Sequence, residues 1–123
     1  MTVGQTATAS TVGIAQAEIE QIEKFYILRK RLDVLQFLDN HPFLVPVLLE
    51  APDNISDYFP GDPLFLEVVI DPESTSPDDD TMFIIIASDV DPDDSIDRLW
   101  QLDENWWLKA SMPLQNKLEI NVE

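Results

Sequence analysis

Residues 64–88 read LFLEVVIDPESTSPDDDTMFIIIAS and hold two apolar runs separated by an acidic segment that carries prolines. The runs 64–70 and 81–88 are rich in β-branched and aromatic residues, which favours β-strands. The Pro and Asp residues between them predict a loop over 71–80. The second run is continuously apolar, so we expect both faces of the sheet to be covered.

The residues after these runs predict a helix and a third strand. Asp91-Pro92 is a typical helix start, and the helix is predicted to continue to about Asp103. Its buried side is predicted to carry Ile96, Leu99, Trp100 and Leu102. The segment 117–123 alternates apolar and polar residues, as a half-exposed edge strand does. The order β-β-α-β predicts a three-stranded, mainly antiparallel sheet in which the third strand lies beside the first.

The segment before the strands has a helical pattern. From about Ala15 to Asn40 apolar residues recur at helical spacing, with no Gly or Pro between them, which predicts one long helix. His41-Pro42 ends that helix. In the next helical segment Pro46 is tolerated only in the first turn, and Pro52 is expected to begin a further turn or two. These amino-terminal helices are expected to cover the face of the sheet that the crossover helix leaves open.

The chain of 123 residues fits one domain of ordinary size. Residues 1–13 are polar and of low complexity, so we expect a flexible arm followed by a single domain over 14–123. Within that domain the helices occupy about 15–59, and the β-β-α-β unit occupies about 64–123. The predicted fold class is therefore α+β.

The net charge of −17 limits what the protein can bind. Up to Arg31 four cations face three carboxylates, whereas from Leu32 onward three cations face twenty-one carboxylates. Such a charge repels phosphate backbones and anionic membranes, so neither direct nucleic-acid binding nor membrane binding is expected. No signal peptide or membrane span is recognisable in the sequence, which predicts a cytoplasmic protein.

Few residues suited to catalysis are present. The chain has no Cys, one His and three Gly, which excludes thiolate sites, two-histidine metal sites and phosphate-cradling loops. We therefore predict no enzyme activity and no cofactor. The carboxylates of 89–97 have part of the calcium-binding EF-hand spacing, but they lack its Gly and its bidentate Glu, so a helix cap at Asp91 explains them better. The acidic loop 71–80 is compatible with a weak cation site or with a plain solvated connection.

The long helix carries a broader apolar arc than one packing partner can cover. We therefore predict that it contacts a second copy or another protein through a seam made of Phe25, Leu28, Leu32 and Leu35. Adjacent Trp106 and Trp107 cannot both enter one core from a regular element, so one of them is predicted to lie at an interface. The predicted function is a non-catalytic protein-interaction module or homo-oligomer. The alternatives are an acidic decoy of a basic nucleic-acid-binding protein and, third, a metal-dependent enzyme.

Three runs give the chain a family resemblance: 37–51 (FLDNHPFLVPVLLEA), 64–73 (LFLEVVIDPE) and 103–108 (DENWWL). Over about Leu32 to the carboxyl end the sequence resembles an uncharacterised family of small acidic bacterial proteins, found chiefly in cyanobacteria. That family has no established activity, so the resemblance implies no catalytic residues. It does imply a role beside a second small protein, as an antitoxin accompanies a toxin.

Overall fold

A computed structural model describes residues 15–70 and 80–123 of the chain. The predicted arm over 1–13 lies outside the described residues, as does the predicted loop except for Asp80. The described residues form an α+β fold, as predicted, with four helices of ten to twelve residues and a four-stranded mixed sheet.

The main elements follow one another along the chain in the order α-β-α-α-β-β-α-β. The helices are α1 Gln16–Phe25, α2 Arg31–Asn40, α3 Val45–Ser56 and α4 Pro92–Leu102. The strands are β1 Ile27–Leu28, β2 Leu64–Val69, β3 Thr81–Ile86 and β4 Leu118–Val122. A π-helical turn, Asp103–Trp107, and a short α-helical turn, Leu108–Ala110, extend α4.

The predicted single helix from Ala15 to Asn40 is wrong, because the chain leaves the helical conformation at Tyr26 and resumes it only at α2. Between the two helices, β1 pairs in parallel with β2. Lys30 then adopts a left-handed conformation with φ 52°, which costs roughly 1–2 kcal/mol for a residue with a Cβ atom. The backbone hydrogen bonds between β1 and β2 and the burial of Tyr26 offset this cost.

The predicted strand number and order are also wrong. The sheet order is β1-β2-β3-β4, with β2 and β3 antiparallel and both outer pairs parallel. The crossover helix α4 returns the chain beside β3, so β4 lies next to the second strand of the hairpin rather than the first. The edge of β2 where a third strand was predicted is occupied by β1 over Phe65 and Leu66.

All four helices pack on the same face of the sheet. One buried cluster joins helical residues, such as Ile22, Leu38, Leu48 and Leu102, to the inward residues of the strands. Those inward strand residues are Leu64, Leu66, Met82, Ile84, Ile86 and Leu118. The strand residues that alternate with them are not part of the cluster, so the expectation of helices on both faces is wrong. The other face is called the outer face below.

The two prolines of α3 have different positions. Pro46 lies in the first turn, as predicted. Pro52 does not begin a further turn but lies inside the helix, where it has no N–H to donate to the carbonyl of Leu48 four residues earlier. The Tyr26 hydroxyl donates a hydrogen bond of 2.7 Å to that same carbonyl. A side chain from outside α3 therefore replaces the backbone donor that Pro52 removes.

Candidate functional site

The four residues of the predicted seam do not share one helical face, because the break between α1 and α2 separates them. Phe25 ends α1 and is exposed, and Leu32 lies exposed in the first turn of α2. Leu28 is in β1 and packs against the core, and Leu35 is half-buried. Phe25 and Leu32 line different surface hollows. That these residues contact a partner stays a prediction.

The two adjacent tryptophans lie in the π-helical turn and have different surroundings. Trp107 is 6% exposed and belongs to the core. Trp106 is half-buried, and its Nε1–H donates a hydrogen bond of 3.0 Å to the Glu50 carboxylate. Trp107 therefore fills space inside the domain, whereas part of Trp106 is accessible.

Four large apolar side chains are exposed along α4, its extension and the 3-10 turn Met112–Leu114 that follows, and they are called the Trp100 stripe below. The exposed fractions are 52% for Ile96, 65% for Trp100, 59% for Leu108 and 80% for Met112. The expectation that Ile96 and Trp100 lie on the buried side of the helix is therefore wrong. The residues of α4 that do turn inward are Ser95, Leu99 and Leu102.

The π-helical turn is what aligns the stripe. At about 100° per residue, Ile96 lies some 40° from Trp100 around the axis of α4. In an uninterrupted α-helix Leu108 would lie about 80° away, whereas a π-helical turn absorbs one extra residue and returns Leu108 to within about 20° of Trp100. The same shift moves Trp107 into the core. The sequence alone did not indicate this extra residue, so the stripe was missed.

Hydrogen bonds to the end of α3 hold the π-helical turn in place. The Arg98 guanidinium donates to the carbonyl of Tyr58 at 2.9 Å, and the Asn105 amide donates to the Tyr58 hydroxyl at 2.8 Å. Within the turn, the N–H of Leu108 donates to the carbonyl of Asp103, five residues earlier. The stripe therefore belongs to a helix that is fixed on its inner side and exposed on its outer side.

Carboxylates surround the Trp100 stripe. Asp93, Asp97 and Glu104 are exposed on the same helical segment, and Asp103, which begins the π-helical turn between Trp100 and Leu108, is half-buried. None of the ion pairs found among the described residues includes these four side chains. Partial burial raises the pKa of Asp103 above its ordinary value, because the charged form loses hydration. The surface is thus an apolar row with Asp103 within it and mainly carboxylates around it, the exposed Lys109 being the cation next to Leu108.

The outer face of the sheet is a second apolar surface. The side chains of Ile27, Phe65, Val69, Phe83 and Ile85 alternate with the core residues of their strands. Arg29 lies across this face, with its guanidinium 4.4 Å from the centre of the Phe65 ring. It forms ion pairs with Glu67 at 3.1 Å and with Glu123 at 2.7 Å. These contacts already occupy much of the centre of the face.

The ion pair between Arg29 and Glu123 predicts a pH-dependent contribution to stability. The Arg29 guanidinium lowers the pKa of the Glu123 carboxyl below its ordinary value of 4.5, so the contribution is complete above that value and is lost as the pH falls through the lowered pKa. We expect the melting temperatures of wild type and Arg29→Met to differ near pH 7 and to converge in acid. Lys109→Met, which removes an exposed charge, is the control. A difference that is constant down to about pH 2 would contradict this assignment.

Asp91 and His41 both lie at helix ends. Asp91 is at the N-cap position of α4 and Pro92 begins the helix, as predicted, although the Asp91 side chain makes no capping hydrogen bond. His41 Nδ1 lies 2.9 Å from the carbonyl oxygen of Phe37 near the end of α2. In the ranges 15–70 and 80–123, no three His or acidic residues are grouped so that they could hold a metal ion.

The helices of residues 15–70 and 80–123 are too short or too polar to cross a membrane. Comparison of this chain with protein-family models, with curated proteins and with solved structures finds no match. The resemblance to an uncharacterised bacterial family therefore stays a prediction, and function has to be inferred from the surfaces described above.

Proposed function

We propose that this protein is a non-catalytic interaction module that binds another protein through the Trp100 stripe. The observation that carries the proposal is the alignment of Trp100 with exposed Ile96 and Leu108 on one side of α4 and its extension, with exposed Met112 just beyond them. Contiguous exposed apolar surface of this kind is typical of interaction sites, and Trp is enriched among the residues that dominate binding energy. The partner-binding role predicted for the amino-terminal helix is thereby assigned to α4.

Two features favour the stripe over the outer face of the sheet. The side chains of the stripe are 52–80% exposed, whereas Arg29 and its carboxylate partners already cover part of the outer face. The stripe also begins at a hollow of about 370 Å³ beside Ile96, whose lining combines apolar side chains such as Leu99 and Val122 with polar ones such as Asn121 and Glu123. A hollow next to an exposed apolar row can receive an anchoring side chain of a partner.

Affinity capture from the source cells tests this function with three versions of the protein. Trp100→Asp places a charge in the centre of the stripe, and Leu32→Asp makes the same type of change at an exposed position of α2. We expect wild type and Leu32→Asp to capture the same proteins in similar amounts. With Trp100→Asp, we expect the captured amount of these proteins to fall roughly tenfold. Melting curves of the purified proteins check that both variants remain folded.

Two results would count against this function. One is retention of the same proteins, in the same amounts, by wild type and Trp100→Asp. The other is a strictly monomeric protein in light scattering together with no retained partner at all, since an interaction module must have a partner or self-associate. An effect of Leu32→Asp but not of Trp100→Asp would restore the amino-terminal region as the binding surface.

A further inference from the structure

The dimensions of the Trp100 stripe suit a helix as its binding partner. From Ile96 to Leu108 the stripe extends over twelve residue steps, or at most about 18 Å at the rise of an α-helix, and Met112 lies beyond the end of the helix. Because the π-helical turn absorbs one residue, Trp100 and Leu108 are spaced as if seven residues apart, which is the repeat of a coiled-coil seam. An extended strand would instead need a free sheet edge. The stripe lies on a helical segment, which offers no such edge.

The charges around the stripe indicate what that helix must carry. Asp103 follows Trp100 by three residues, so it lies in the seam between Trp100 and Leu108. Its carboxylate is half-buried and belongs to none of the ion pairs of the described residues. If an apolar side chain of a partner covered this carboxylate, the charge would lose its remaining hydration and gain no ion pair in return, which costs binding free energy. A Lys or Arg side chain would provide that compensation, and Asp97 and Glu104 would attract further cations.

A second copy of the chain does not meet this requirement. Each copy carries a net charge of −17, and pairing two stripes would bring Asp97, Asp103 and Glu104 of one copy near the same carboxylates of the other. Like charges placed together across an interface oppose binding. The occupant is therefore a different protein with the opposite charge.

We infer that the Trp100 stripe receives a basic amphipathic helix of another protein, whose apolar side chains pack on Trp100 and Leu108 and whose Lys or Arg pairs with Asp103. This inference rests on the proposed function and adds the chemistry of the partner. The net negative charge of the whole protein would then assist binding, because it increases the rate at which a basic segment encounters the stripe.

Synthetic peptides test the inference without knowledge of the natural partner. Three peptides of about 21 residues share Leu at the seam positions of three heptads and differ at the other positions, which are Lys, Gln or Glu. Binding of each fluorescent peptide is measured by anisotropy at about 50 and 300 mM salt. We expect the Lys peptide to bind roughly tenfold more tightly than the Gln peptide, with an affinity that falls as salt rises, and the Glu peptide not to bind.

Variants separate the proposed contact from a general attraction between opposite charges. Trp100→Asp is expected to weaken binding of the Lys peptide roughly tenfold, whereas Leu32→Asp leaves it unchanged. Asp103→Leu is expected to weaken binding of the Lys peptide and to strengthen binding of the Gln peptide, because the seam becomes wholly apolar. The control Glu20→Leu removes one charge from an exposed position of α1, and it should alter neither affinity by more than about twofold.

The outcomes distinguish this inference from the function on which it rests. If the Lys peptide binds Trp100→Asp as well as wild type, or if Asp103→Leu has no greater effect than Glu20→Leu, the inference is overturned. If the Gln peptide binds as tightly as the Lys peptide and depends on Trp100, the stripe binds proteins but the basic partner is wrong. If wild type and Trp100→Asp retain the same proteins in the capture experiment, the proposed function itself is contradicted.

Discussion

Replacing Trp107 by Ala is expected to lower the free energy of unfolding by about 3–5 kcal/mol, the largest effect of any single substitution considered for this protein. Trp107 is 6% exposed and belongs to the cluster that joins the helices to the sheet. Its removal leaves a cavity that the surrounding side chains fill only in part. Urea denaturation followed by far-UV circular dichroism measures the change, with the unfolding slope used to check that the transition remains two-state.

Trp100→Ala is the matched control, because it makes the same chemical change on the same helix at a side chain that is 65% exposed. We expect it to alter the free energy of unfolding by no more than about 0.5 kcal/mol. If Trp107→Ala does not fold, Trp107→Phe is the milder substitution, and it is still expected to destabilise the protein more than Trp100→Ala does. Equal effects at the two positions would show that the π-helical turn does not direct Trp107 into the core, and the alignment of the stripe would then be wrong as well.

The elements with a strong local pattern could be predicted from the sequence. The runs 64–70 and 81–88 are bounded by Pro and Asp, and they form β2 and β3 within one or two residues of the predicted ends. The start of α4 at Pro92 follows from its N-terminal proline and carboxylates, and β4 follows from its alternating pattern. These signals are local, and together they were sufficient for the α+β class.

The break between α1 and α2 could not be predicted, because the contacts that stabilise it are distant in sequence. No Gly or Pro marks it. The pairing of β1 with β2 joins residues 38 positions apart, Ile27 to Phe65, and the ion pair of Arg29 with Glu123 joins residues 94 positions apart. Helical periodicity reports only what neighbouring residues favour, and tertiary contacts override it here.

The candidate site was missed for a related reason. Apolar residues at 96, 99, 100 and 102 span an arc of about 160° around α4, which is wider than one packed face requires, so the pattern does not reveal which of them face the core. The direction of the side chains after residue 102 depends on one extra residue in a π-helical turn, which is held by contacts with Glu50 in α3 and with Tyr58 just after α3. The nearby carboxylates at 93 and 97 were the available sign that Ile96 and Trp100 lie on the exposed side.

Replacing Tyr26 by Phe is expected to destabilise the protein by about 1–3 kcal/mol, because it leaves the Leu48 carbonyl buried without a donor. In α3 the residue four positions after Leu48 is Pro52, which has no N–H. The Tyr26 hydroxyl supplies the hydrogen bond instead, at 2.7 Å. Burial raises the pKa of Tyr26 above its ordinary value, so the hydroxyl keeps its proton and remains a donor throughout the neutral range.

A double-mutant cycle with Pro52→Ala tests whether the two residues act together, because Ala at this position restores the backbone N–H that can reach the Leu48 carbonyl. In the Pro52→Ala background we expect the cost of Tyr26→Phe to fall by about 1 kcal/mol or more, since the carbonyl then keeps one donor. Urea denaturation of wild type, the two single variants and the double variant gives the coupling free energy between Tyr26 and Pro52. The coupling does not depend on whether Pro52→Ala alone stabilises or destabilises the protein. The same cost of Tyr26→Phe in both backgrounds would mean that the tyrosine stabilises the protein only by packing, and that α3 tolerates Pro52 without the Tyr26 hydrogen bond.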